Sequence, residues 1–255
     1  MYDPVKRHQA VEKLVVKEGP QGTEKRYWRF RADRWYGGIA TADCAGCGLL
    51  CKFCWVRDKM LHRPGEGGQF YRPEQVVRNL VSIARKKGFT QLRISGGEPT
   101  VGREHLLQVL RGLRGLGMSF ILETNGILLG HDADYVEAFT EFPFLHVRVS
   151  IKGCTPEDFS RLTGAHPDGF GLQLGALRRL VNAGVSCHPS VMASFSTGED
   201  MGRIRDSLGA IDPRLRDELE VEELILYPHV LRRLERHGIK PYRSYEPDKV
   251  PRELV

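Results

Sequence analysis

Three cysteines, Cys47, Cys51 and Cys54, stand in a C-x3-C-x2-C triplet, and their spacing asks what they would hold. Thiolates are soft ligands that suit zinc or iron. A structural zinc takes four ligands, usually as two pairs separated by a dozen or more residues. Cys44 does complete two C-x2-C pairs, but only three residues lie between them, so one zinc on so short a loop would be strained. An electron-carrying ferredoxin site uses other spacings and a following proline, where this chain has Trp55. A cubane [4Fe-4S] cluster fits best: three thiolates would bind three irons and leave the fourth open to another ligand. Cys44 then reads as a buried neighbour rather than a fourth ligand.

A second motif, Ser95-Gly96-Gly97-Glu98-Pro99, follows about 40 residues later. Its two glycines let a backbone approach a ligand closely. Glu98 offers a carboxylate to an ammonium group, and Pro99 stiffens the turn. Alone this is an ordinary Gly-Gly turn; behind the triplet it becomes a partner for it.

These residues need elements to position them. Tyr27–Asp33 alternates like a strand, and Tyr36–Asp43 leads into the cysteine loop. Strands are predicted at Gln91–Ser95, Ser119–Thr124, Leu145–Lys152, Val185–Met192 and Glu220–Tyr227. Helices are predicted at Val5–Lys17, Pro73–Lys87, Arg103–Leu116, Asp132–Phe139, Pro156–Leu162, Leu172–Ala183 and Met201–Ile211. Repeated βα units predict an α/β fold with a parallel sheet, as a partial (β/α)6 TIM-type barrel. An open doubly wound sheet is the alternative. The barrel would span 36–229, after an N-terminal extension at 1–35 (helix and edge strand) and before a C-terminal tail at 230–255. His146, Arg148, Ser150 and Lys152 share one face of their strand, as Gln91, Arg93 and Ser95 share another. Strands buried on both faces are normally apolar throughout. Polar inner faces therefore predict a charged lumen that holds a polar ligand or is knotted by its own salt bridges.

Together the two motifs resemble the radical S-adenosylmethionine (SAM) superfamily. Phe53 stands before the last cysteine as an aromatic residue usually does there, and Gly96-Gly97-Glu98-Pro99 matches the "GGE(P)" motif. The resemblance covers roughly residues 36–229. It implies a [4Fe-4S] cluster on Cys47, Cys51 and Cys54, whose open iron chelates the methionine end of SAM. It implies that the turn at Gly96, Gly97, Glu98 and Pro99 holds the SAM amine and that the main chain near Phe53 meets the adenine. Glu123-Thr124-Asn125-Gly126 resembles a strand end that contacts SAM, which implicates Thr124 and Asn125. Ser150 and Lys152 sit where a ribose- or carboxylate-binding residue is placed. His229 follows Tyr227-Pro228 in a closing strand like that of glycyl-radical-enzyme activases, whose Leu-Pro-Tyr-His is reordered here. The implied reaction is reductive cleavage of SAM to methionine and a 5′-deoxyadenosyl radical, which takes a hydrogen atom from substrate. Cys154, at the mouth end of its strand, is a candidate hydrogen-atom donor or substrate ligand.

The substrate is left open between a protein, a small molecule and RNA. Size and closing strand favour an activase acting on a partner protein. Cys51-Lys52-Phe53-Cys54-Trp55 also resembles the "C-x-F-C-W" of wybutosine-type tRNA-modifying radical SAM enzymes. The basic-aromatic run Lys25–Arg31 and a net charge of +6 agree with an RNA partner, though a solvated edge strand explains the run equally well. An iron–sulfur electron carrier is the non-enzymatic alternative. A flavodoxin- or ferredoxin-type one-electron donor is the expected partner. Clustered cysteines, no apolar run of membrane-spanning length and no apolar stretch behind the first charges point to a cytoplasmic chain without a membrane partner.

Overall fold

The computed structural model describes residues 1–20 and 22–251. Asp3 starts helix α1 (Pro4–Val15) by accepting from the Val5 and Lys6 amides, with Pro4 in the first turn. A hairpin follows, β1 (Val16–Gly19) with β2 (Gly22–Asp33), and β2 pairs antiparallel with β3 (Ile39–Cys44). After β3 come the cysteine loop, α2 (Asp58–His62) and β4 (Gln69–Tyr71). The chain then alternates through α3 (Pro73–Lys87), β5 (Gln91–Gly96), α4 (Arg103–Leu113), β6 (Ser119–Thr124), α5 (Ile127–His131), α6 (Ala133–Glu137) and β7 (Leu145–Ile151). It continues through α7 (Pro156–Thr163), α8 (Asp168–Asn182), β8 (Cys187–Met192), α9 (Gly198–Gly209), α10 (Pro213–Asp217) and β9 (Glu220–Glu222). It ends in β10 (Leu224–Ile225), α11 (Pro228–Arg236) and β11 (Ser244–Tyr245).

Strands β3, β5, β6, β7, β8 and β9 run parallel in that spatial order. A doubly wound sheet reverses its strand order at a switch point. No reversal occurs here, which removes the doubly wound alternative. The outer edge of β3 is taken by β2, not by β9, so the six strands form a partial barrel. Register sets the site: Cys44 pairs with Gly96, so the cysteine loop and the Gly-Gly turn leave the sheet at one level.

Alternation along the strands separates core from lumen. Leu92, Ile94, Phe120, Leu122, Val147 and Val149 are buried under the helices, each worth about 1.5–3 kcal/mol in burial. Thr41, Asp43, Arg93, Ser95, Arg148 and Ser150 are buried on polar faces instead.

Four local readings change. A turn at Trp35–Gly37, with Tyr36 at φ 57°, delays the strand expected from Tyr36 until Ile39. The helix expected at Asp132–Phe139 is shortened to α6, capped by the Asp132 side chain and tightening into a 3-10 turn at Ala138–Glu141, and α5 precedes it as an element not expected. The strand expected over Glu220–Tyr227 breaks after Glu222, and Leu224–Ile225 pairs with Ser244–Tyr245 instead. Lys25–Arg31 is an edge only in part: Lys25–Tyr27 has β4 on one side and β1 or β3 on the other, while Arg29–Arg31 pairs with β3 alone.

Candidate functional site

A cavity of about 870 Å³ opens at the C-terminal ends of the parallel strands, the end where barrel enzymes carry their sites. The four clustered cysteines, Phe53, Gly96, Gly97, Glu98, Thr124, Asn125, Ser150 and Lys152 all line it. Pro99, Cys154 and His229 are not among its lining residues.

The cysteine loop is held from several sides. Cys47 Sγ accepts from the Leu49 amide at 3.4 Å and from Asn125 Nδ2 at 3.5 Å. Tyr2 Oη accepts from the Leu50 amide at 2.9 Å. The Lys52 amide donates to Leu162 O at 2.9 Å. Arg233 of α11, only 2% exposed, donates to Cys54 O at 2.7 Å, Val56 O at 3.0 Å and Asp58 Oδ1 at 2.9 Å.

Burial pushes all three thiols of the triplet up, Cys51 to about 12; Glu98 and Cys51 add to the shift of Cys47, and Cys54 to that of Cys51. Lys152 and Arg233 pull Cys51 and Cys54 the other way. Three adjacent buried thiols ionise together only when cations compensate them. Among the described residues, no three His, Cys, Asp or Glu side chains converge tightly enough to grip a single metal ion. Soft thiol donors around a shared cavity fit a polynuclear iron–sulfur group better than one tetrahedral zinc.

The Gly-Gly turn is stitched to that loop by main chain. The Gly97 amide donates to Cys44 O at 2.8 Å and the Glu98 amide to Gly46 O at 2.6 Å. A Cβ at Gly97 would stand 2.4 Å from Gly46 O, so glycine is required for this approach.

Glu98 is part of the turn's own frame. Its side chain is 2% exposed and turned inward. Oε1 accepts from the Thr100 amide, Thr100 Oγ1 and Thr124 Oγ1 at 3.1, 2.7 and 2.7 Å. Oε2 accepts from the Asn125 amide at 2.8 Å. The carboxylate braces the turn against the end of β6, with three donors on Oε1 and one on Oε2. Lys25, 1% exposed, secures the other side by donating to the carbonyls of Glu98, Pro99 and Val101 at 3.0, 2.9 and 2.6 Å. That takes Lys25 out of any nucleic-acid surface.

The lumen is a charged interior knotted by its own ion pairs. Arg93, 5% exposed, binds Glu123 at 2.7 Å and Thr41 at 2.9 Å, and also pairs with Asp33. Arg148, 4% exposed, binds Glu220 at 2.7 Å and Glu222 at 2.6 Å. Burial opposes ionisation of Glu220, yet its bonds to Arg148 and His188 prevail and bring it to about 2. Burial likewise opposes Glu123, and Arg93 and Arg148 with Ser95 hold it below the ordinary carboxylate range. Ser150 joins the second knot, 3.5 Å from both Arg148 Nη1 and Glu222 Oε2. Lys152 Nζ makes no close ion pair among the described residues, though against burial its charge helps Arg148 hold Glu222 below the ordinary carboxylate range, and it lies 6.0 Å from the centre of the Phe53 ring.

Besides Pro99, two expected site residues lie elsewhere. Cys154 is buried with Ser196 Oγ at 3.2 Å and Met201 Sδ at 3.7 Å, because its side chain packs under α7 and α9 and not into the lumen. Burial pushes its thiol up. His229 bonds Trp55 O at 2.7 Å and stacks on Tyr227, which itself lines the cavity, so the ring anchors the cysteine loop. The sequence reading missed Tyr36, whose hydroxyl meets Glu123 at 3.2 Å, and also His8 and Arg233. A non-glycine residue at positive φ leaves no mark in composition, and the other two act across long sequence separations.

Fold and site together define a partial α/β barrel with a cysteine-rich loop facing a charged cavity at the strand ends. The family model "Radical SAM superfamily" matches residues 43–208, and the chain belongs to that superfamily. Its cofactors are a [4Fe-4S] cluster and S-adenosylmethionine. A probable GTP 3′,8-cyclase of Thermococcus kodakarensis is 28% identical over 172 residues, covering 65% of this chain and 52% of that protein. The chain thus spans about half the length of the curated relatives it matches. Streptococcus suis SuiB bound to S-adenosylmethionine superposes with TM-score 0.58 at 18% identity, covering 76% of this chain and 44% of SuiB. TYW1 with a lysine-pyruvate adduct superposes at 0.52 and 14% identity, covering 78% of this chain and 72% of TYW1. Both structures establish the fold alone. No helix among the described residues is long and apolar enough to cross a membrane.

Proposed function

We propose that this chain cleaves SAM reductively and directs the resulting radical at a small polar molecule in the lumen, with a purine nucleotide as the first candidate. The cavity carries this reading. At about 870 Å³ it lies in the upper part of the range of about 300–1,000 Å³ typical of small-molecule sites, so SAM can share it with a second molecule. The relatives are named GTP 3′,8-cyclases, and the activase expectation gives way to an intramolecular reaction of that kind. When bound and reduced, the cluster supplies the electron that splits SAM into methionine and a 5′-deoxyadenosyl radical.

The chain's residues have separable tasks. Cys47, Cys51 and Cys54 hold three irons. Gly96 and Gly97 present main chain to the SAM amine, and Lys152 offers its ammonium to the SAM carboxylate. Phe53 walls the site with Phe195, 5.4 Å away. The cavity lining carries six cationic and six acidic side chains, so it favours a hydrogen-bonding or mixed-charge group over an unneutralised polyanion. A triphosphate would be neutralised outside this lumen.

The electron donor fits a separate surface. Residues 57–63 and 228–240 carry net charges of +2 and +3, against +6 for the whole chain. Arg233–Asp58 joins these segments beside Cys54, and their outer residues Arg57, Lys59, Arg232 and Arg236 do not line the cavity. RNA as substrate must reach the cavity, whereas an acidic one-electron carrier need only approach the loop. Cluster reduction by such a carrier is expected to slow with salt, while reduction by an uncharged small-molecule reductant is not.

The deciding experiment incubates the reconstituted, reduced protein with SAM and GTP deuterated at C3′. Forming a 3′,8 bond removes that hydrogen, so deuterium is expected in 5′-deoxyadenosine. SAM cleavage without deuterium transfer or GTP consumption would reject the nucleotide. No cleavage at all with an intact cluster would leave the electron-carrier reading.

A further inference from the structure

Helix α1 lies outside the family-matched segment, yet it sends His8 to the back of the cysteine loop. His8 is fully buried. A Cβ at Gly48 would stand 2.1 Å from His8 Nδ1, so the ring lies flat against that loop. His8 Nδ1 is 2.6 Å from Pro4 O, and His8 Nε2 is 3.1 Å from Asn125 Nδ2. Asn125 Nδ2 is also 3.5 Å from Cys47 Sγ, while Asn125 Oδ1 accepts from the Ile127 amide at 3.0 Å.

These contacts fix every proton. Pro4 O can only accept, so His8 Nδ1 carries the hydrogen and His8 Nε2 is an acceptor. An acceptor at Nε2 requires the Asn125 amide nitrogen to face it. The opposite amide orientation would set Oδ1 against the imidazole lone pair and the sulfur, and would leave the Ile127 amide without its acceptor. The nitrogen's two hydrogens therefore go one to His8 and one to Cys47 Sγ.

We propose that Asn125 tunes the cluster by donating a hydrogen bond to its Cys47 ligand, and that His8 is the positioning residue that locks the amide in the donating orientation. The inference rests on Cys47 being a cluster ligand, as proposed above. Hydrogen bonds to ligand sulfur are among the factors that set iron–sulfur potentials. They favour the reduced form, in which the sulfurs carry more negative charge. A helix outside the barrel thereby acts on how readily the cluster accepts its electron. Glu98 serves the same peptide from the other side, since its Oε2 holds the Asn125 main-chain amide at 2.8 Å.

The test is an EPR-monitored redox titration of the reconstituted protein without SAM, with resonance Raman spectra of the iron–thiolate stretches. Asn125→Ala and His8→Leu should each lower the midpoint potential and shift the iron–thiolate frequencies. His8→Gln, whose carbonyl can accept in place of Nε2, should return both readouts toward the parent. An unchanged potential in Asn125→Ala overturns the proposal. A shift in Asn125→Ala with none in His8→Leu removes His8 from it. Where His8→Leu holds no iron, His8→Gln decides: a potential moved as far as in Asn125→Ala also removes His8. The underlying ligand assignment fails separately, if Cys47→Ala retains a parent-like [4Fe-4S] spectrum.

Discussion

Replacing Arg233 by Met tests whether α11 is part of the cluster site. Met keeps an aliphatic stem of similar reach and removes only the donors. Two buried carbonyls, Cys54 O and Val56 O, lose the side-chain donor that meets each at 2.7 and 3.0 Å. An unsatisfied buried group costs about 1–3 kcal/mol. Asp58, with its side chain 45% exposed, regains water and adds about 0–1 kcal/mol. Together these give about 2–7 kcal/mol, which brackets the ~3–5 kcal/mol found on breaking a buried ion pair from one side. In a chain of this size that corresponds to a Tm lower by roughly 10 °C. Urea denaturation of the cluster-free protein measures the loss, and hydrogen exchange locates it in residues 54–58 and 228–236. Iron bound per chain after reconstitution should fall with it. Arg233→Lys keeps the charge but cannot reach three acceptors in a fixed fork, so it should restore less than half. A Met variant within about 1 kcal/mol of the parent, with parent-like exchange in the cysteine loop, would refute the clamp.

Glu98→Gln places an amide NH2 against either the Thr100 or the Asn125 main-chain N–H, so stability should drop by about 1–3 kcal/mol and SAM affinity, measured by equilibrium dialysis on the cluster-loaded protein, should weaken. Lys152→Ala should weaken SAM binding about tenfold, the effect of losing one charge-assisted contact of about 1.4 kcal/mol, while leaving iron content unchanged; equal SAM affinity would remove Lys152 from the site. Glu220 has a folded pKa of about 2 against an ordinary 4.5, so its contribution is fully present above 4.5 and is lost as pH falls toward 2. The urea midpoint of the cluster-free protein should therefore be level near pH 6 and fall below about 4.5, and Glu220→Gln should flatten that fall.

Chemistry was legible where it sits in short contiguous runs. The triplet and the Gly-Gly turn each need only a few adjacent residues, and strand alternation placed Arg93, Arg148 and Ser150 on the inner faces. Alternation could not show what those faces do with their charge. Arg93 meets Glu123 and Arg148 meets Glu220 across 30 and 72 positions, and no periodicity records such a pairing. The same limit explains Glu98. A carboxylate after two glycines reads as an open ligand until Thr124, at the end of the next strand, and Asn125, just beyond it, are found to brace it. The strand expected over Glu220–Tyr227 failed for a different reason, since apolar residues continue past Glu222 while the hydrogen-bonding partner changes from β8 to β11.

What the flanks contribute follows from where their contacts land. Tyr2, His8 and Lys25 precede the family-matched residues 43–208, and Arg233 follows them. Tyr2 and Arg233 hold main-chain atoms of the cysteine loop, at Leu50 and at Cys54 and Val56. Lys25 holds three carbonyls of the turn opposite, and His8 orients the amide between them. Both loops are irregular backbone, and irregular backbone keeps one geometry only when its polar groups have fixed partners. The end of β3 and the two loops supply some of these to each other, through Gly97 to Cys44 and Glu98 to Gly46. The flanks supply the rest with buried side chains that have no place in the triplet's own pattern. Shared motifs therefore account for which cofactors this chain takes, while residues outside the motifs determine how rigidly the cysteine loop and the turn face each other across the cavity.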